Sequence, residues 1–105
     1  MKNNDVLNMI TSAMIENDLS KFVKTLDMVI FMNEVYMFQI TDTTINVDVI
    51  ENLQDRISQM LCMYNELYDI GTRISINGNT KLYNLYIELG DKIYKHCQEL
   101  RSFYM

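Results

Sequence analysis

The chain has 105 residues, 49% of them hydrophobic, with three Gly and no Pro. That composition excludes a disordered chain or a turn-rich β domain and leads us to expect one helical domain over residues 1–105. Net charge is −5 and uneven: residues 1–40 carry three basic and five acidic groups, residues 41–71 one and six, residues 72–105 five and three. No region is basic enough to hold nucleic acid by neutralising phosphates, so direct nucleic-acid binding is not expected.

The expected architecture is all-α: an antiparallel helical bundle of three long helices plus one short N-terminal helix. The short helix starts from a cap at Asn4 or Asp5 and runs to about Glu16, with Val6, Leu7, Ile10, Ala13 and Met14 on its apolar side. "END" (residues 16–18) reads as a break, with Asp18 or Ser20 capping a second helix that runs to about Ile40. "TDTTIN" (41–46) is the next loop.

In the third helix Ile50, Leu53, Ile57, Met60, Tyr64 and Leu67 recur at spacings of 3, 4, 3, 4 and 3, the seam of a packed bundle. Gly71 stands where a helix stop is expected. "GTRISINGNT" (71–80) is the connection, and its "ISINGNT" carries the Asn-Gly signal of a small hairpin. The fourth helix repeats Leu82, Tyr86, Leu89, Ile93, His96, Leu100 and Phe103 at spacings of 4, 3, 4, 3, 4 and 3. "YNEL" (64–67) and "YIEL" (86–89) match tyrosine-based sorting patterns, but their Tyr and Leu fall on these seams and read as packing.

Cys62 and Cys97 form neither a disulfide framework nor a CxxC pair, which fits a reducing, cytoplasmic setting. The N-terminus has no apolar run long enough for a signal peptide. No stretch approaches the roughly 20 apolar residues of a membrane span.

"MVIFMNEVYMFQI" (28–40) is the anomaly, with ten of its thirteen residues apolar. On a wheel of about 100° per residue, Leu19, Phe22, Val23, Leu26, Val29, Ile30, Met37 and Ile40 share the core side. Met28, Phe31, Met32, Val35 and Phe38 lie opposite. This second stripe is either covered by the short first helix or the C-terminal tail, or it is an interface, homodimeric or with another protein. Flexible Met side chains suit adaptable binding surfaces and irregular cores alike. Asn33 falls on the core side, where a buried polar residue can fix register or oligomer state or can simply hydrogen-bond at a boundary.

The third helix has an acidic back: Asp48, Glu51, Asp55, Glu66 and Asp69, with Cys62 in the same register and only Arg56 to offset them. Such a ridge is either a solvated face or a surface that steers a basic partner. His96, the only histidine, reads as a core or boundary residue with a Tyr or carbonyl partner. One His and two scattered Cys are too few ligands for a metal site.

"ELGD" in "YIELGDKIYKH" resembles the second half of the ExxE…ExxD signature of all-α nucleoside triphosphate pyrophosphohydrolases of the MazG type. The resemblance implies that Glu88 and Asp91, with Glu66 and Asp69 of "NELYD" as the other half, would hold Mg²⁺ against phosphates. The pattern departs at Asp69, where the signature has Glu. No Gly-rich phosphate loop, nucleophile elbow or metal-ligand cluster is present, and no cofactor is expected. The sequence thus favours a small acidic non-enzymatic regulator or inhibitor that works by binding protein. Its concrete version is a phage- or mobile-element-borne inhibitor of a nucleic-acid-handling host protein. A Mg²⁺-dependent pyrophosphohydrolase, and an export-type chaperone or structural homo-oligomer, are the alternatives.

Overall fold

The computed structural model describes residues 2–40 and 45–105. It holds three helices, α1 (Lys2–Ile40), α2 (Val47–Asn77) and α3 (Thr80–Arg101), and no strand among the described residues. None of the helices is long and apolar enough to cross a membrane. Most of the expected "TDTTIN" loop lies outside the described residues.

The expected short first helix is not a separate element. α1 runs unbroken through "END" for 39 residues. Asn and Asp are poor helix formers by only a few tenths of a kcal/mol each, and burial on either side of them outweighs that. Ile15 and Leu19, one turn apart, are both buried, and Asp18 pairs with Arg73 of α2 at 2.7 Å. The caps expected at Asn4 or Asp5, and at Asp18 or Ser20, therefore lie within a helix.

Gly71 does not stop α2 either. It is buried in mid-helix, and a Cβ there would lie 2.5 Å from the Tyr86 ring. Glycine is what allows that ring to rest on the α2 backbone. The helix ends instead at Gly78, whose left-handed φ of 77° lets its N–H reach Ile74 O at 2.9 Å. An Asn-Gly pair signals a hairpin because it supplies positive φ. Here the same freedom closes a helix, so the expected hairpin is absent. Asn79 then caps α3 by accepting from the Leu82 N–H, as Asn46 caps α2 by accepting from that of Val49. α2 and α3 are thus joined by a turn of two residues, and they are the most closely packed pair.

Contacts between α1 and α2 pair early residues with late ones, Asp18 with Arg73 and Asn33 with Arg56. Those between α1 and α3 keep sequence order, Asp27 with Lys92 and Asn33 with His96. One core cluster results: Leu19, Phe22, Leu26, Met37 and Ile40 from α1, Leu53, Ile57, Met60 and Leu67 from α2, and Leu82, Leu89, Ile93 and Leu100 from α3. Met63, Ile70 and Ile74 join it where the sequence placed none of them. Tyr64, expected on the seam, is 42% exposed, and Ile50 is only half-buried. Phe103 and Tyr86 pack at the cluster's edge.

The molecule measures 63 × 19 × 16 Å, and α1, at about 1.5 Å per residue, spans nearly all of the long axis. It passes the α2–α3 turn where Asn77 reaches Asn8 O and Ser12. Val6, Leu7, Met9, Ile10 and Met14 on this N-terminal part are exposed. The expected apolar side of the first helix therefore faces outward, because Asn8, Ser12 and Ile15 are the residues turned toward α2 and α3, and Leu7, Ile10 and Met14 lie on the far side of the same helix.

Candidate interaction face

The outer side of α1 is built by helical phase. Leu19, Phe22, Leu26, Asn33, Met37 and Ile40 fix which side faces α2 and α3. Residues 28, 31, 32, 35 and 38 are then turned away by half a revolution. Met28, Phe31, Met32, Val35 and Phe38 are accordingly exposed, from 42% at Val35 to 82% at Phe38. The expectation that the first turns of the chain cover them is overturned, since those turns belong to the same helix. The C-terminal residues Phe103 and Tyr104 pack against the core cluster.

All five ridge residues, Asp48, Glu51, Asp55, Glu66 and Asp69, are exposed, and among the described residues none is in an ion pair. Arg56, the one cation expected to offset them, is directed elsewhere. It donates to Asn52 Oδ1 at 2.7 Å and to Asn33 Oδ1 at 2.8 Å, and its guanidinium lies 4.2 Å from the Tyr36 ring centroid. Two of the five ridge residues, Glu66 and Asp69, border a groove of about 330 Å³ that they share with Asp18, Lys21 and Arg73.

The four carboxylates of the pyrophosphohydrolase resemblance are not brought together. Glu66 and Asp69 border that groove beside α1. Asp91 lines a different groove, between α2 and α3, and pairs with Lys95 at 2.9 Å. Among the described residues no three His, Cys, Asp or Glu side chains are placed to hold a metal ion.

His96 is buried, but its partner is neither a Tyr nor a carbonyl. Arg56 has only N–H groups to offer, so it fixes Asn33 with Oδ1 toward α2 and Nδ2 toward α3. Nδ2 lies 3.1 Å from His96 Nε2 and donates to it. Burial lowers the His96 pKa, opposed by the negative charges of Glu99 and Glu34. Both cysteines are free thiols, Cys62 exposed and Cys97 buried, and burial pushes the Cys97 thiol up.

Sequence reasoning missed the groove of about 470 Å³ between α2 and α3, lined by Leu61, Tyr64, Tyr86, Gly90 and Tyr94 among others. Its readable signal was reciprocal: Tyr64 lies beside Gly90 of α3 as Tyr86 lies on Gly71 of α2. Comparison with protein-family models, curated proteins and solved structures gave no match. The reading of the face therefore rests on its geometry and chemistry.

Proposed function

We propose that this chain is a small, acidic, non-enzymatic protein-binding regulator or inhibitor, folded as an antiparallel bundle of three helices. Its binding face is the outer side of α1, centred on Phe31, Val35 and Phe38 with Met28 and Met32 at the edge. The observation that carries the reading is this continuous apolar stripe, left exposed on the side opposite a complete core. Apolar surface gathered in one patch, rather than scattered singly, marks interaction sites. Aromatic side chains near the middle of a patch tend to supply the binding energy. The acidic ridge of α2, in no ion pair among the described residues, adds a directional field, which suits a partner with a basic surface. A nucleic-acid-handling host protein is the concrete partner class, and carriage by a phage or mobile element the concrete setting.

The test is a double substitution, Phe31→Asp with Phe38→Asp. Both side chains are exposed, so the introduced carboxylates stay hydrated in the isolated chain and stability should move by no more than about 0.5 kcal/mol per substitution. On assembly the same charges must be desolvated, at a cost of several kcal/mol. The expected result is an unchanged melting profile, with a partner captured by the wild-type chain and lost by the variant. Sedimentation of the pure wild-type chain decides whether that partner is a second copy. A variant that captures the same partner equally well would rule the face out.

A further inference from the structure

The three helices meet in one polar chain that runs inward from exposed Asn52 through half-buried Arg56 to buried Asn33 and His96. Asn52 and Arg56 come from α2, Asn33 from α1 and His96 from α3, with contacts of 2.7, 2.8 and 3.1 Å in that order. Asn33 is 1% exposed and His96 2%. Each link dictates the next. Arg56 orients the Asn33 amide, and the amide in turn makes His96 Nε2 an acceptor. The ring proton must then sit on Nδ1. Nδ1 is itself buried, with no hydrogen-bond partner among the described residues, and Glu99 Oε1 stands 3.8 Å away, too far to accept.

Protonation of this ring has nowhere good to go. The incoming proton lands on Nε2, where it faces the Asn33 NH₂. Rotating that amide presents a carbonyl to His96 but turns the NH₂ onto the Arg56 guanidinium, donor against donor. The charged groups around the ring are Glu34 on α1, Arg56 on α2 (through Asn33) and Glu99 on α3. Glu99 and Glu34 favour the charged ring, but Glu99 is largely exposed and screened, and burial outweighs both. We propose that the Asn52–Arg56–Asn33–His96 chain is a proton-sensitive clasp seating the C-terminal half of α1, and that uptake of one proton at His96 Nε2 releases it.

The sign follows from linkage. The folded chain holds His96 below the ordinary imidazole value of about 6.5. The unfolded chain therefore binds more protons just below that value, and stability falls as pH falls through it. The clasp is fully engaged above about pH 6.5 and is lost on the acid side. It lies behind residues 28–38, so acidification also loosens the support of the apolar stripe, a consequence that rests on the proposed function. The clasp itself does not.

Nitrogen-15 NMR on the full-length chain tests it, since there is only one histidine. At pH 7.5 the long-range correlations should show a proton on Nδ1 and a bare Nε2. The ring should titrate below 6.5, and over that titration amide protection in residues 28–40 should drop at least ten-fold more than in residues 53–67. A proton on Nε2 at pH 7.5, a midpoint at or above 6.5, or protection lost evenly along the chain would overturn the proposal. Asn33→Asp supplies the converse. A carboxylate there accepts from Arg56 and from a protonated Nε2 alike, so the His96 midpoint should rise by about one unit or more. An unmoved midpoint in the folded variant also overturns it. Should that variant fail to fold, the wild-type proton position alone decides.

Discussion

At the scale of single residues, the two mid-helix glycines make opposite demands. A Cβ on Gly71 would sit 2.5 Å from the Tyr86 ring, whereas one on Gly90 would meet Tyr64 at an ordinary 3.6 Å. Alanine is worth about 1 kcal/mol over glycine inside a helix, and displacing a packed ring costs about 1–3 kcal/mol. Gly71→Ala is therefore expected to lower stability by about 1 kcal/mol, and Gly90→Ala to raise it by up to about 1 kcal/mol. Urea melts of the two variants check the signs. If both were stabilising, the Tyr86 ring would not be resting on α2 as described. The sequence showed both glycines but could not tell them apart, because what decides each is a tyrosine from another helix. The buried seams at Leu53, Ile57, Met60 and Leu67, and at Leu82, Leu89, Ile93 and Leu100, were legible because periodicity is local. The polarity of Asn33 was legible for the same reason, whereas its partners Arg56 and His96 were not.

At the scale of the helix, the stops suggested by the sequence fell in the wrong places for a related reason. "END" and Gly71 are weak points of an isolated helix, but Asp18 is held by Arg73 and Gly71 by Tyr86. A continuous α1 makes a clear demand at Asn17, which is exposed and so carries no packing role of its own. Proline there removes the N–H that bonds back to residue 13 and crowds that residue's carbonyl. It should cost about 3 kcal/mol or more in a helix interior, but little if a loop occupied this position. Thermal melts followed by circular dichroism separate the two cases. The true stop, Gly78, behaves differently. Its φ of 77° and the open space beside it mean that alanine would be strained but not crowded. Gly78→Ala should therefore cost about 1–2 kcal/mol, and Gly78→Asn less, because Asn tolerates the left-handed region.

At the scale of the whole molecule, the apolar stripe and the acidic ridge lie on different helices and have different physics. The stripe on α1 was legible as an angle on a wheel. The outward phase of Ile10 and Met14 on the same helix was not, since it follows only once α1 is continuous through "END" and Ile15 and Leu19 share one buried side. The stripe can act only at contact, whereas the ridge acts at a distance limited by screening, about 10 Å at 0.1 M salt. If a basic partner docks, the ridge should set the encounter rate and the stripe the lifetime of the complex. Reversing Asp48, Glu51 and Asp55 to Lys takes the net charge from −5 through neutrality. These side chains are exposed and unpaired among the described residues, so the fold should hardly notice. Association measured by stopped flow should slow by at least ten-fold at low salt and lose most of its salt dependence, with dissociation nearly unchanged. Phe31→Asp with Phe38→Asp should show the reverse pattern, a similar association rate and a much faster dissociation. If instead the charge-reversed chain associated at the wild-type rate at every salt concentration, the ridge would have no part in recognition, and α1 alone would account for binding.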